Sequence, residues 1–519
     1  MKAIFTLLSL IISSFIFANN IQLQKVSLAD TNRTAKTVNI KMNISWEHSW
    51  RDSINWDAAW IIVKYKEPKD SIWKWKHAQF SKTGNNTGTQ PGLKIVVPDD
   101  LNGAFFYRSA IGAGNIASND VKFIWNYGSA GVTNIDSVEV RVFATEMVYV
   151  PEGNYCLGDG DGLQRSDNSF QLKNAPNNYA VITDKWSPLI NTQSSLASGD
   201  DQSVKNSGIR VSGLQGLDVN DDKVPDFPNY PTGYRAFYCM KYKVTQGQYT
   251  DFLNTTSVND TTASVISNAW LTSDPSFLKS MPKPLQAAWR QLGDFIYMFI
   301  YPTDKARHTI TFDSLQLKFI VTRPDRAYAL MDINKGLSFS EWAGLRPMSE
   351  MEFEKASRGP LPAIRNEFAW GADSMYANNS TYTLSFNGIE NGTEYFTDYD
   401  ITKRYTNPIN TRTGDGGTGP YRVGIFATDN SSRISSNASY YGIMDMSKMY
   451  PDGLVSANGS GRELNYLIHG AGKLDALGNS YSFKNIKQQL IGRTSVSARY
   501  QLNSSFACFR AVRLAPSDN

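Results

Sequence analysis

The chain has 519 residues, 41% of them hydrophobic and 19% charged, which excludes intrinsic disorder and leaves room for two or more domains with apolar cores. Its net charge of +4 is too small on this length to point to nucleic acid or to an anionic membrane surface.

The N-terminus reads MKAIFTLLSLIISSFIFANN. Lys2 supplies a positive start, Ile4 to Phe17 an apolar core, and Ala18 a small residue before a cut. This is the pattern of a secretory signal peptide over residues 1–18, with the mature chain starting near Asn19. The expectation is an exported protein, whether periplasmic, cell-surface or secreted. The apolar run is short for a membrane span, and no later run of about 20 apolar residues follows, so no span is expected after cleavage. Export permits disulfides, but the three cysteines, Cys156, Cys239 and Cys508, are odd in number and lack metal-site spacing. They read as buried, inert thiols.

Residues 19–146 read as all-β. In TVNIKMNISW, Val38, Ile40, Met42, Ile44 and Trp46 alternate onto one face. Ile61, Val63 and Tyr65 do the same, as do Val121, Phe123, Trp125 and Tyr127, and then Val138, Val140 and Val142. Strands with one apolar face need a second sheet, so a β-sandwich is expected. Trp50, Trp56, Trp60, Trp73 and Trp75 crowd this region. Exposed, they would form a sugar-binding platform; core packing is the ordinary use of such rings.

From MVYVPEGNYCLGDGDG onward, glycine, asparagine and proline become common and periodicity sparse. Two helices stand out. In KYKVTQGQYTDFLN, Thr245 and Gln248 have capping-box spacing, with Tyr249, Phe252 and Leu253 on one face. In GLRPMSEMEFEKASRG, Ser349 and Glu352 repeat the box, and Phe353 and Ala356 face inward. Glu350 and Glu352 suit the positive end of the helix dipole, and Glu354 and Arg358 have the spacing of a surface pair. These carboxylates have structural work to do, and nothing in their spacing requires acid–base catalysis.

The order of these pieces resembles the formylglycine-generating enzyme, or sulfatase-modifying factor, family. MVYVPEGNYCLGD is similar to the family's opening strand. FYCMKYKVTQGQYTDFLN is similar to its E-V-T helix, with Lys243 where Glu is usual. LSFSEWAGLRPMSEMEFEKASRG matches its W-x-G-x-R…E-x-E-x-E…R-G stretch at Arg346, Glu350, Glu352, Glu354 and Arg358. FAWG, GIMDMS and CFRAVR follow in the family order. The resemblance runs over residues 147–514 with an insertion at about 255–327. It implies an α+β, C-type-lectin-related fold with little regular structure, preceded here by the all-β sandwich.

The departures bear on function. Family members that oxidise sulfatase cysteines hold copper on two nearby late cysteines, which suits a soft, redox-active ion. Here Gly461 to Ala507 contain no cysteine, so copper is not expected. The implied calcium segment also departs, because Lys448 and Met449 replace Gly and Asn, and Asp452 stands near the Glu position. Iron-dependent relatives are histidine-rich, whereas this chain has only His48, His77, His308 and His469, without ligand spacing. A separate calcium-type loop is legible in DVNDDKVPD, where Asp218, Asn220, Asp222 and Asp226 alternate as oxygen donors. Lys223 occupies its glycine position, and the plain alternative is a solvated acidic loop.

The expectation is a non-catalytic binding or structural module meeting a protein or glycan partner in the cell envelope or outside the cell. One alternative is an enzyme of the same family with a non-cysteine site, with His469, Arg499 and Asp445 as catalytic candidates. The other is a carbohydrate-binding protein using the tryptophan-rich sandwich.

Overall fold

The computed structural model describes residues 21–70, 74–158, 170–172, 179–184, 196–198, 231–256, 310–313, 316, 318–331, 333–364, 367–372, 394–395, 420–428, 431–447, 452–454, 490–492, 500–502 and 508–517. The principal strands are β1 (Gln22–Asn32), β2 (Thr37–Arg51), β3 (Asp57–Lys66), β4 (Leu93–Val96), β5 (Ala104–Arg108), β6 (Gly112–Asn126), β7 (Glu139–Val150), β8 (Phe237–Met240), β9 (Ile310–Asp313), β10 (Lys318–Val321), β11 (Arg346–Pro347) and β12 (Ala511–Leu514). Among the described residues, three α-helices accompany them: α1 (Gln246–Thr255), α2 (Ile333–Trp342) and α3 (Glu350–Arg358). The described residues are therefore rich in β-sheet with few helices, which is compatible with an α+β fold.

β1, β2 and β6 form a three-stranded antiparallel sheet. β2 alternates as its sequence demands, with Val38, Ile40, Met42, Ile44 and Trp46 buried and their neighbours half-exposed. These side chains meet Ala59, Ile61, Val63 and Tyr65 of β3, together with Phe106 of β5 and Phe123 and Trp125 of β6. Two sheets thus pack face to face over one apolar core.

The second sheet is larger and does not stop where the N-terminal half ends. Its order is β11-β12-β8-β7-β3-β5-β4, with the short strand Lys76–His77 also pairing with β3. β7 is the bridge. Along most of its length it pairs with β3, from Asp57 opposite Val148 to Lys66 opposite Glu139. At its end it also pairs with β8, from Phe237 opposite Val150 to Met240 opposite Met147. One hydrogen-bonded ladder therefore runs through residues 146 and 147 and joins the two halves of the chain.

β3 is buried on both faces, which explains its nearly continuous apolar run. Ala58, Trp60 and Ile62 point away from the small sheet, toward Tyr249, Phe252 and Leu253 of α1 and Phe339 and Trp342 of α2. Trp60 donates its Nε1–H to Ala343 O at 2.8 Å, and the Arg513 guanidinium lies 4.5 Å over its ring. Arg513 is paired with Asp100. The tryptophans are thus largely core residues: Trp56, Trp60 and Trp75 are buried, Trp50 is half-buried, and Trp73 lies outside the described residues. Trp56, Trp60 and Trp75 are therefore not available to the sugar-binding platform that the sequence allowed.

α1 and α3 begin at complete capping boxes, Thr245 with Gln248 and Ser349 with Glu352. Within the region expected as an insertion, β9 and β10 pair, and Asn254 at the end of α1 exchanges two hydrogen bonds with Phe319 of β10. Among the described residues, no helix is long and apolar enough to cross a membrane.

Candidate functional site

The α3 and Gly442–Ser447 motifs meet on one face of the large sheet, beside the small sheet, whereas α1 and α2 pack on its other face. Here α3 and the Gly442–Ser447 segment cover β7, β8 and β12, with Phe353, Ala356, Ile443 and Met446 packed on Val148, Val150, Phe237 and Val512.

α3 is enclosed along its whole length. Arg346 from β11 holds Glu352, with Nη1 to Oε2 at 2.8 Å, and Ser349 N–H donates to the same oxygen at 3.0 Å. Glu354 accepts from Gly158 N–H at 2.7 Å. Arg358 pairs with Glu354 and Glu367 and donates to Cys156 O and Gly158 O, both at 2.7 Å. The helical spacing of Glu354 and Arg358 does produce a pair, but both side chains are 0% exposed. This corrects the surface pair expected from spacing: α3 presents no solvent face, so its charges must be matched from neighbouring loops. Gly359 ends the helix at φ +70°, where an added Cβ would collide with the Tyr440 ring. Lys355, also buried, donates to Tyr234 O at 2.9 Å, and burial pulls its amine down to about 7.

A second cluster lies where β8 leads into α1. Lys243 Nζ is 2.8 Å from Asp452 Oδ2, and both side chains are 0% exposed. Arg510, from the closing CFRAVR stretch, reaches the same oxygen at 3.3 Å. It also donates to Met240 O at 3.1 Å and to Met444 O at 2.9 Å. Asp452 forms a β-bridge with Cys508, so the Lys243, Gly442–Ser447 and Cys508–Arg513 stretches close on one point.

Asp445, one of the three catalytic candidates, belongs to this cluster. It sits at φ +58° and is 1% exposed. Its Oδ2 accepts from Gly424 N–H at 2.7 Å, while Oδ1 has no hydrogen-bond partner among the described residues. Burial raises its carboxyl above the ordinary value, against the pull of the Gly424 N–H and of Arg510, Lys243 and Arg422. The other two candidates, His469 and Arg499, lie outside the described residues, as do Asp218, Asn220, Asp222 and Asp226 of the calcium-type loop.

The thiols are uniformly enclosed. Cys156, Cys239 and Cys508 are free and buried. Burial pushes Cys239 and Cys508 up to about 12 and also raises Cys156, which suppresses the thiolate needed for nucleophilic or metal chemistry. The residues present do not fit a copper dithiolate: no cysteine occurs from Gly461 to Ala507, and the thiols elsewhere are buried. Among the described residues, no group of three or more His, Cys, Asp or Glu side chains is placed to hold a metal ion.

A third cluster has no counterpart in the motif reading. At the seam between the small sheet and the Gly442–Ser447 segment, Asp57 accepts from Trp46 Nε1, Ser49 Oγ and Trp50 N at 2.9, 2.8 and 3.0 Å. Glu146 and Lys241 pair beside it at 2.8 Å. Burial, with Glu146 adding to it and Lys241 opposing, raises the Asp57 carboxyl to about 6. An acid at the head of the apolar run NWDAAWIIV is the one sequence signal for this cluster.

A search of curated proteins returns no match to the chain. Residues 189–447 match the model of the sulfatase-modifying factor enzyme 1-like domain. That span contains β8, α1, α2, β11, α3 and the Gly442–Ser447 segment, while β7 and β12, in the same sheet, flank it on either side. The chain therefore carries a domain of the sulfatase-modifying factor family, built into a sheet that it shares with the N-terminal β-structure.

Proposed function

We propose that this protein is an exported, non-catalytic member of the sulfatase-modifying factor family that serves as a binding or structural module. The observation that carries this reading is the state of the thiols: three in the chain, none within Gly461 to Ala507, and all three buried. Oxidising a substrate cysteine on copper needs accessible thiolates in a pair, because a thiolate is the soft ligand and the redox-active group. The charged residues of the family motifs support the same reading. Glu352, Glu354, Arg358 and Arg510 are committed to buried pairs that close loops onto the sheet. Asp445, the candidate for a non-cysteine site, is held by a backbone N–H away from solvent. The N-terminal sequence supports export, which places any partner in the envelope or outside the cell.

Copper(I) competition tests this. The purified chain, reduced and folded, is mixed with copper(I) and a colorimetric copper(I) chelator. The expected result is that all copper stays with the chelator. Retention of one copper per chain against the chelator would overturn the proposal.

A further inference from the structure

The family resemblance implies a calcium segment continuing from Gly442–Ser447, and the chain departs from the family at two separated places, Lys243 for Glu and Asp452 near a second Glu. The fold brings these departures into contact. Lys243 Nζ lies 2.8 Å from Asp452 Oδ2 with both side chains fully buried, and Arg510 Nε lies 3.3 Å from the same oxygen. Asp445 is close enough to feel both cations.

These residues do not fit a divalent ion. A cation placed against Asp452 would face two fixed positive charges at similar range, and repulsion between buried like charges is little screened. Lys243 and Arg510 together offset Asp452 and Asp445. With Glu at position 243, the same set would hold two uncompensated negative charges, the balance that a divalent ion satisfies. We propose that the Lys243 ammonium is a tethered counter-cation: it supplies from within the chain the positive charge that Asp452 requires, so this core folds without metal and cannot take one. The inference rests on the geometry of this cluster and not on the absence of catalysis.

The test uses the full chain with Asp218→Asn and Asp222→Asn, which blank the calcium-type loop elsewhere in the sequence. Thermal unfolding is followed in EDTA and in millimolar calcium. This background protein should unfold at the same temperature in both. Lys243→Glu should lower Tm in EDTA by on the order of 5 °C and recover part of the loss in calcium. Lys243→Met should show a similar loss in both solutions, because it leaves Asp452 buried without the ammonium. Lys243→Met combined with Asp452→Asn should recover at least half of that loss. A background protein stabilised by calcium would overturn the proposal. So would a double variant no more stable than Lys243→Met, which also decides the matter if Lys243→Glu fails to fold.

Discussion

Replacing Arg358 with Met tests whether the charges of α3 belong to the interior. The side chain is 0% exposed and lies between Glu354 and Glu367, with the carbonyls of Cys156 and Gly158 as further acceptors. Removing one partner of a buried pair costs about 3–5 kcal/mol, and each buried acceptor left without a donor adds about 1–3 kcal/mol. Methionine restores some apolar contact, so a net loss of about 4 kcal/mol is expected. Urea unfolding at neutral pH, followed by tryptophan fluorescence, reads it directly. The pH dependence gives a second reading. Burial already raises the Glu367 carboxyl, and Arg358 opposes that rise. Without the arginine, the folded-state value climbs further above the unfolded one. A raised carboxylate costs stability when ionised, and the cost fades as pH falls through its folded value. The deficit of the variant should therefore narrow toward acid, and Arg358→Met with Glu367→Gln should recover part of it at neutral pH. A loss below about 1 kcal/mol, unchanged with pH, would place these charges in solvent and refute the reasoning.

Lys355, pulled down to about 7 by burial from an ordinary 10.5, has the opposite sign. Its folded state gives up a proton more readily than its unfolded state, so its contribution to stability rises with pH between those values. Lys355→Met should gain relative to the parent near pH 6 and lose about 2 kcal/mol of that advantage by about pH 9, as read by urea unfolding. Trp60→Ala, which empties a site between Phe105, Arg513 and α2, should cost about 3–5 kcal/mol and keep one unfolding transition, because β7 joins both halves; two separated transitions would contradict the shared sheet. Thiol titration with an aromatic disulfide should find no reactive cysteine in the folded chain and all three after denaturation.

Much of the local structure was legible in the sequence, because short-range physics determines it. Val38 to Trp46 alternate with period two and sit inside on that period. Thr245 with Gln248 and Ser349 with Glu352 start helices where the spacing places them. α2 was not legible. Gly336 interrupts it, a helix-weakening residue retained because the Phe509 ring, distant in sequence, lies where a Cβ would be. The Glu354–Arg358 spacing was legible, but the burial was not: enclosure depends on Gly158 and Glu367, which only the fold brings up. The Asp57, Glu146 and Lys241 cluster was hidden for the same reason, since its members are scattered along the chain. Lys243 could be read as a departure from the family pattern, and its partner Asp452 as another. Their contact could not.

The central claim, that this scaffold no longer performs the oxidation of its family, is tested most directly on a peptide. The purified chain, shown to be folded by a cooperative thermal transition, is incubated with copper, oxygen and a sulfatase-type peptide carrying the target cysteine, and the peptide mass is followed. The account predicts that the thiol persists. Conversion of that cysteine to an aldehyde, dependent on the protein, would contradict it.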